Sequence, residues 1–421
     1  MLHIGYNFLD EILAAPGWDH ISARICKAER DGFTNAGRRA DYYGDAVGKI
    51  KSGKWHWGYN SSDLNQAREA PAAGGAHSLF VRLRMPLVTF GEAMVRLTPP
   101  DFQRLEQARS LDLYVGGGEL NVAVAATRFG IASRWVTRLP DNPLGHIICN
   151  RARELGVDTQ VEWANGDRAG LYFAELGAAP RPSSVLYDRA ASAISNIEPG
   201  HVDWKTTFFG ASWFHVSGIT PALSKSAAKV TAEAMEAAKK AGLTVSYDLN
   251  YRRKLWKPET ARSVQEPLMR FVDVLITTEE DTRVVFNIGG RGQQNYDKVE
   301  ANAYDDVARE LIDRFNLSAA AITLRENPRV LLNNWSAVLV AERKTYHAPR
   351  YEVEVIDRIG AGDAFSGGLI AARLEKRNWE DSLRFATAAS ALKHSIPGDF
   401  CLISREEVEQ LLKGGSLRVA R

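Results

Sequence analysis

Residues 357–368 of the 421-residue chain read DRIGAGDAFSGG, and their types suit the transfer of a phosphoryl group. Gly360 and Gly362 bracket Ala361, Asp363 follows at once, and the spacing then becomes helical. Backbone N–H groups and the positive end of a helix dipole should therefore converge beside a carboxylate. Phosphoryl transfer needs both features, because donors must face the oxygens that gain charge and a base must take the proton of the attacking hydroxyl. On four residues alone, a glycine turn in which Asp363 caps the next helix is the better explanation.

A second glycine cluster precedes another helical pattern. Gly117 and Gly118 are followed by Asn121 and then by apolar residues at helical spacing as far as Gly130. Glycine lets a ligand approach the backbone, and the Asn121 amide can both donate to and accept from a sugar hydroxyl. Close packing of the backbone is the alternative explanation of the same glycines.

Two further segments place polar or aromatic side chains where a ligand can reach them. The apolar strand predicted at 243–249 contains Asp248 at its end and runs into Asn250 and Arg252, and open parallel sheets bind ligands at the carboxyl ends of their strands. The short alternating segments 169–176 and 184–188 predict a hairpin outside the main sheet.

The hairpin and the residue after it contain three candidate ligand-binding side chains, namely Tyr172, Tyr187 and Arg189. Ordinary strand aromatics and a solvated arginine are the alternative for these three.

Taken together, these strings resemble the motifs of the ribokinase (PfkB) family of carbohydrate kinases. The resemblance rests on residues 357–368, on the Gly-Gly-x-x-x-Asn segment that ends at Asn121, and on 128–130, and it covers nearly all of 85–413. It implies ATP-dependent phosphorylation of a sugar hydroxyl. Asp363 would accept the proton of that hydroxyl.

The same resemblance assigns roles to the two glycine turns and to the hairpin. The backbone donors that would stabilise the transferring phosphoryl group belong to Gly360, Ala361 and Gly362. The residues that would bind the sugar are Gly117, Gly118 and Asn121. The hairpin strands would form part of a lid that closes over the sugar and excludes water.

Three segments, 217–223, 248–256 and 395–400, are similar to those of the 2-keto-3-deoxygluconate kinases within this family. Such a substrate carries a carboxylate, which arginine binds through two parallel hydrogen bonds. We therefore expect Arg189 and Arg252 to bind the carboxylate, with Tyr187 orienting the same end of the sugar. Two alternatives stay open: another sugar kinase, such as a fructokinase or ribokinase with structural arginines, and a non-catalytic sugar- or nucleotide-sensing module.

The resemblance also implies ATP and Mg²⁺ as cofactors, with Mg²⁺ bound mainly by phosphate and water. Pro397 and Gly398 are expected to line the nucleotide pocket, together with Gly360 and Gly362. Asp357 is expected to lie beside a metal ion, and a monovalent cation is a further expectation.

The chain departs from the family pattern at two places. Thr278 and Asp281 stand where the family usually has Asn-x-x-Glu. Residues 325–329, which we expect to form the turn after a buried strand, lack the two usual glycines, so we assign no nucleotide contact there. Residues 288–302, rich in Gly, Gln and Asn, predict a surface loop.

Strand and helix patterns alternate from Met85 onward, which predicts a mostly parallel sheet covered by helices. The fold that the resemblance implies is a ribokinase-like three-layer α/β/α domain over 85–421, with a small β-sheet lid whose strands lie near 100–115 and 168–190. Residues 1–84 are expected to be a weakly ordered extension or to lie upstream of the true start at Met85. Their tryptophans keep a small accessory domain as an alternative, and their acidic residues argue against an organellar transit peptide.

The composition narrows the class of protein. The net charge is +2 and 25% of the residues are charged, which gives no reason to expect a nucleic-acid or membrane partner. The three cysteines have neither metal-ligand nor redox spacing. We expect a cytoplasmic homo-oligomer that binds a sugar acid and ATP.

Overall fold

The computed structural model describes residues 85–289 and 302–414, together with the backbone of 49–51 and 54–56. The chain divides into two compact units, Met1–Val81 and Arg82–Arg421. In the first unit, β1 (Lys49–Lys51) pairs antiparallel with β2 (Lys54–His56). The expectations for the rest of 1–84, and for most of the loop predicted at 288–302, lie outside the described residues.

The second unit alternates strands and helices. Its strands are β3 (Leu87–Phe90), β4 (Met94–Thr98), β5 (Asp112–Gly116), β6 (Ser133–Pro140), β7 (Asp158–Ala164), β8 (Leu171–Glu175), β9 (Ser184–Asp188), β10 (Trp213–Ser217), β11 (Thr244–Asp248), β12 (Val274–Thr278), β13 (Ala319–Arg329), β14 (Leu332–Ala341), β15 (Lys344–His347) and β16 (Tyr351–Glu354). Its helices are α1 (Gly118–Arg128), α2 (Pro143–Glu154), α3 (Trp204–Thr207), α4 (Ile219–Ala222), α5 (Lys225–Lys240), α6 (Pro258–Gln265), α7 (Asp281–Phe286), α8 (Ala303–Phe315), α9 (Ala361–Leu374), α10 (Trp379–Lys393) and α11 (Arg405–Leu412). Across the described residues, no helix is both long and apolar enough to cross a membrane.

The main sheet has ten strands in the order β15-β14-β13-β12-β11-β10-β3-β6-β7, with β16 pairing with β14. All pairs from β13 to β7 are parallel, and the pairs that involve β14 are antiparallel. The predicted mostly parallel sheet is therefore confirmed.

Helices cover both faces of this sheet. Val88 on β3 packs in a core with Val230 of α5, whereas its neighbour Leu87 packs in a second core with Leu369 of α9 and Leu383 of α10. Successive residues of a strand point to opposite faces, so the two cores lie on opposite sides of the sheet. This arrangement confirms the three-layer α/β/α fold.

A separate four-stranded sheet has the order β5-β4-β8-β9. Strands β8 and β9 form an antiparallel hairpin within 168–190. The region near 100–115 contains only one strand, β5, because residues 105–107 form a 3₁₀ turn instead. Strand β4, which lies at the centre of the small sheet, was not predicted as part of a lid.

The turn predicted at 325–329 is wrong. These residues continue β13, where Arg325 pairs with Trp335 and Glu326 with Asn334 of β14. The register shifts between Glu326 and Arg329, which is where Pro328, having no N–H to donate, can be accommodated.

Two cysteines of the described residues are buried in different parts of the domain. Cys149 on α2 packs in a core with Trp135, and Cys401 packs against residues of α10 and α11. Burial raises the pKa of the Cys401 thiol to about 11.

Candidate active site

A cavity of about 440 Å³ lies at the carboxyl ends of the central strands, between the main sheet and the small sheet. Asp248 ends β11 and Thr278 ends β12, and both line the cavity, as expected for an open parallel sheet. The cavity is also lined by these predicted site residues: Gly117, Gly118, Asn121, Tyr172, Tyr187, Arg189, Arg252, Gly360, Ala361, Gly362 and Asp363. The two glycine turns therefore meet at one site.

The Asn121 side chain joins the two turns. Its Oδ1 accepts a hydrogen bond from Gly117 N at 3.2 Å, so its amide NH₂ points the other way and donates to Asp363 Oδ2 at 2.7 Å. Gly117 is required where it stands, because an added methyl group would lie 2.0 Å from the Glu92 carbonyl oxygen. The start of α1 thus fixes the position of the Asp363 carboxylate.

Gly360 precedes α9 with φ of +85°, a left-handed conformation that favours glycine. A methyl group there would lie 1.9 Å from the Asp399 carbonyl oxygen, whereas one on Gly362 would meet nothing within 4 Å. The first N–H groups of a helix have no partner within it. In α9, Ala361 N donates to the Arg358 carbonyl oxygen at 3.3 Å, and the N–H groups of Gly362 and Asp363 are left to bind an anion in the cavity.

Asp363 is poised to accept a proton. Burial raises the pKa of its carboxyl group, while the hydrogen bond from Asn121 and the charges of Arg252 and Lys393 oppose that shift. A carboxylate of raised pKa is a stronger base than an exposed aspartate.

Further carboxyl groups surround the same space. Burial, followed by repulsion from Asp363 and Asp281, raises the pKa of Asp248 well above its usual value. Burial raises the pKa of Asp281 to about 6 and that of Glu279 to about 7. Clustered carboxyl groups without enough cationic partners repel one another, and a bound cation relieves this repulsion.

The residues fit a magnesium ion that is bound mainly through a ligand. Asp248 and Asp281 offer carboxylate oxygens, which suit Mg²⁺. Within the described ranges, no three His, Cys, Asp or Glu side chains are placed to hold a metal ion by themselves. Phosphate oxygens and water would have to complete the coordination. Thr278 and Asp281 stand where the family usually has Asn-x-x-Glu. Thr278 accepts a hydrogen bond from Asp281 N at 3.2 Å, which holds the backbone, and the Asp281 carboxylate accepts from Tyr251 N at 3.2 Å.

The two arginines expected to bind a substrate carboxylate have different surroundings. Arg189 forms a close ion pair with Glu92 and lies over the ring of Tyr187, with Cζ 5.5 Å from the ring centroid. Arg252 donates to the Tyr251 carbonyl at 3.2 Å, and no carboxylate of the described chain forms an ion pair with it. Arg252 therefore has more capacity for an incoming carboxylate than Arg189.

Tyr172 is nearly fully buried and donates to Asp399 Oδ2 at 2.5 Å. It is stacked on Tyr187, with ring centroids 5.8 Å apart. Tyr172 therefore contributes to the cavity wall mainly through its ring, since its hydroxyl is already bonded.

Three predicted site residues are not brought into the cavity. Pro397 and Gly398 line a separate cavity of about 390 Å³ beside Tyr114, so the described cavity gives no support for a nucleotide contact by either residue. Both oxygens of Asp357 accept from backbone N–H donors, and one of these oxygens also forms an ion pair with Arg96 at 2.7 Å. These donors satisfy Asp357 without a metal ion.

Comparison with known proteins agrees with this geometry. Residues 86–399 match the family described as pfkB family carbohydrate kinase. The chain belongs to this family. A 2-dehydro-3-deoxygalactonokinase of Haloferax volcanii is 37% identical to this PfkB chain over 335 residues, which cover 80% of the chain and 99% of the relative.

Two further relatives carry the name of the gluco epimer. A 2-dehydro-3-deoxygluconokinase of Thermoproteus tenax is 31% identical over 332 residues, which cover 78% of this chain and 94% of the relative. The crystal structure of a 2-dehydro-3-deoxygluconokinase from Thermotoga maritima is 44% identical, with a TM-score of 0.75, and the match covers 78% of this chain and all of that one (100%).

The PfkB cavity contains residues that the sequence did not reveal. Glu92 lines the cavity just after β3 and Gly91, and none of the motifs identified in the sequence includes it. Arg325 and Arg358 line another part of the cavity, and the charge of Arg325 adds to burial in lowering the pKa of Arg358. Two adjacent guanidinium groups suit a polyphosphate, but no local pattern links residues so far apart.

Proposed function

We propose that this PfkB kinase transfers the γ-phosphoryl group of ATP to the terminal hydroxyl of 2-keto-3-deoxygluconate (2-dehydro-3-deoxygluconate). One observation carries the choice of an acidic sugar: the guanidinium of Arg252 lies in the cavity that holds Asp363, and no carboxylate of the described chain is close enough to form an ion pair with it. A substrate carboxylate would supply the close ion pair that Arg252 lacks, whereas a neutral sugar would not. The names of the similar proteins support the same substrate class.

In the proposed reaction, Asp363 accepts the proton of the attacking hydroxyl while Asn121 holds its carboxylate. The hydroxyl oxygen forms a bond to the γ-phosphorus, and the bond from that phosphorus to the ADP oxygen breaks. The N–H groups at the start of α9 donate to the oxygens of the group in transfer, where negative charge is greatest. Gly360 makes this approach feasible because its left-handed conformation turns the chain into the helix.

The residues of the cavity also fit the nucleotide with its magnesium ion. Arg325 and Arg358 would hold phosphate oxygens, and Asp248 and Asp281 would contact Mg²⁺ or its water. When bound, Mg²⁺ would neutralise charge on the phosphates. The small sheet, through Tyr172 and Tyr187, would keep water from the reacting atoms.

The test is coupled ADP release with 2-keto-3-deoxygluconate, its galacto epimer, fructose and ribose as acceptors. We expect turnover of the keto-acids and weak turnover of the neutral sugars. Turnover only of fructose or ribose would contradict the proposed substrate and favour a fructokinase or ribokinase. No turnover with any acceptor would favour the non-catalytic alternative.

A matched pair of variants tests the carboxylate contact. Arg252→Met keeps the length of the side chain but removes the charge, and we expect the KM for the keto-acid to rise at least about tenfold, since a charged hydrogen bond contributes roughly 1.5–3 kcal/mol. Arg253→Met is the control, because Arg253 is 83% exposed and, among the residues that the structure describes, its ion pair is with Glu280 at 3.5 Å. An unchanged keto-acid KM in Arg252→Met would contradict the proposal.

A further inference from the structure

Two irregular segments, 356–360 and 394–399, pack against each other beneath the phosphoryl-binding turn. Ile356 N and Asp357 N both donate to the His394 carbonyl, at 2.8 Å and 3.1 Å. In the other direction, Gly398 N donates to Asp357 Oδ2 at 3.0 Å. The position of the turn that begins α9 therefore depends on how firmly these segments are joined.

Lys393 lies where they meet. It is the last residue of α10, and its side chain is completely buried, with 0% exposure. Its Nζ is 3.5 Å from the Asp357 carbonyl oxygen and 3.3 Å from the Ile396 carbonyl oxygen. One ammonium group thus contacts a backbone oxygen of each segment.

Two carboxylates lie near the Lys393 ammonium. Asp357 and Asp399 both stabilise its charge, although burial lowers its pKa overall. The Arg96 guanidinium neutralises part of the negative charge of these two aspartates, since it lies 2.7 Å from Asp357 and 3.7 Å from Asp399. A buried ammonium is tolerated only with such partners, because removing it from water is costly.

Backbone oxygens that converge beside a carboxylate are also the ligands that a monovalent metal ion prefers, since hard cations take oxygen ligands. The sequence resemblance implies such an ion near Asp357. In this chain the Lys393 ammonium already contacts the oxygens that would bind it. The residues present therefore do not fit a separate monovalent cation at this place.

We propose that the Lys393 ammonium is an internal cation that joins the 356–360 and 394–399 segments and replaces an exchangeable monovalent metal ion. Lys393 is then a positioning residue that holds the N–H donors of α9 in place. It also favours the ionised form of Asp363. Turnover should consequently be independent of K⁺ and Na⁺. This inference rests on the proposed kinase reaction.

The first experiment measures ADP release by the unaltered protein in chloride salts of K⁺, Na⁺ and tetramethylammonium at equal ionic strength. We expect kcat to agree within about twofold among the three salts, because tetramethylammonium is too large and too poor in donors to replace a buried ion. Stimulation by K⁺ of more than about fivefold over tetramethylammonium would overturn the inference. Absence of turnover in every salt would instead count against the proposed function.

The second readout is independent of activity. The melting temperature of the unaltered protein should be the same in K⁺ and tetramethylammonium, because no site is left for K⁺ to stabilise the folded state. A higher melting temperature in K⁺ that saturates with concentration would show a specific ion site and overturn the inference.

A variant sharpens the test. Lys393→Ala should lose turnover and regain part of it when K⁺ or n-propylammonium is added, because either can supply the missing charge. A merely structural loss of packing would not respond to K⁺, and an unresponsive folded variant would overturn the inference. Lys239→Ala is the matched control, since Lys239 lies in the last turn of another helix, α5, and pairs with Asp273 at 2.7 Å on the surface. It should show neither loss nor rescue.

Discussion

Asp357 and Asp363 lie at the two ends of one turn and have opposite surroundings. Asp357 is 1% exposed, forms an ion pair with Arg96 and accepts from the N–H groups of Ile359 and Gly398. Asp363 faces the cavity and accepts a side-chain hydrogen bond from Asn121.

The difference shows how neighbouring carboxylates acquire different tasks. The oxygens of Asp357 are occupied by protein donors, so its charge stabilises the turn. Asp363 retains the capacity to accept a further proton, and its raised pKa increases its affinity for one. The two residues are of the same type and belong to the same turn, and they differ in the groups that contact their carboxylates.

The largest effect is expected from Asp363→Asn. The amide keeps an oxygen to accept from Asn121 but cannot take a proton, so kcat should fall by about 10²–10⁴, the usual contribution of a general base. Binding of sugar and nucleotide, measured by calorimetry, should be retained. Turnover close to that of the unaltered protein would remove Asp363 from the role of base.

Asp357→Asn should mainly affect stability. Breaking a buried ion pair by changing one partner costs roughly 3–5 kcal/mol, because it leaves Arg96 undercompensated. Denaturant unfolding measures this loss. Glu280→Gln is the control, because its exposed pair with Arg253 should contribute less than about 1 kcal/mol. Equal losses in both variants would contradict the contrast between the two aspartates.

Gly360→Ala and Gly362→Ala compare two glycines of the same turn, one at a position where the backbone requires glycine and one at a position with room for a side chain. The first forces a left-handed alanine against the Asp399 carbonyl, and a strained backbone of this kind costs about 1–3 kcal/mol. The second meets nothing within 4 Å, so its free energy of unfolding should change by no more than about 0.5 kcal/mol. Thermal unfolding of both variants checks the difference. Similar destabilisation of the two would show that the turn geometry is misassigned.

The last expected effect is a pH dependence. The pKa of Asp281 in the folded protein is about 6, above its usual value, so folding favours the protonated form. Its contribution to stability is therefore full below about pH 4 and is lost as the pH rises through about 6, by roughly 2–3 kcal/mol. Asp281→Asn should flatten the curve of unfolding free energy against pH in this window. An unchanged curve would mean that Asp281 does not titrate there.

Local patterns predicted the parts of the site that lie in continuous motifs. Asn121 and Asp363 are 242 positions apart, yet both were identified because each belongs to a glycine-rich string at the start of a helix. Tyr172 and Asp399 are 227 positions apart, and their hydrogen bond was not predicted. Asp399 belongs to the segment 395–400, which resembles the family, but to no glycine-rich string at the start of a helix.

Tertiary contacts between distant segments explain the features that the sequence analysis did not predict. Nothing near Arg96 in sequence indicates that it would meet Asp357, since only the docking of the small sheet brings them together. Residues 325–329 resemble a turn by composition, but β14 supplies partners that extend the strand. These outcomes depend on tertiary contacts that a single sequence does not display.

The reactivity of the buried Cys401 thiol can report local opening of the domain. Only a thiolate reacts readily with disulfide reagents, and a pKa of about 11 leaves little thiolate in the native protein at neutral pH. Labelling of Cys401 therefore requires local opening of the segment that also carries Asp399. Cys149, buried in a different core, supplies an internal reference for global unfolding. The ratio of the two labelling rates measures how often the support beneath the phosphoryl-binding turn comes apart while the rest of the domain stays folded.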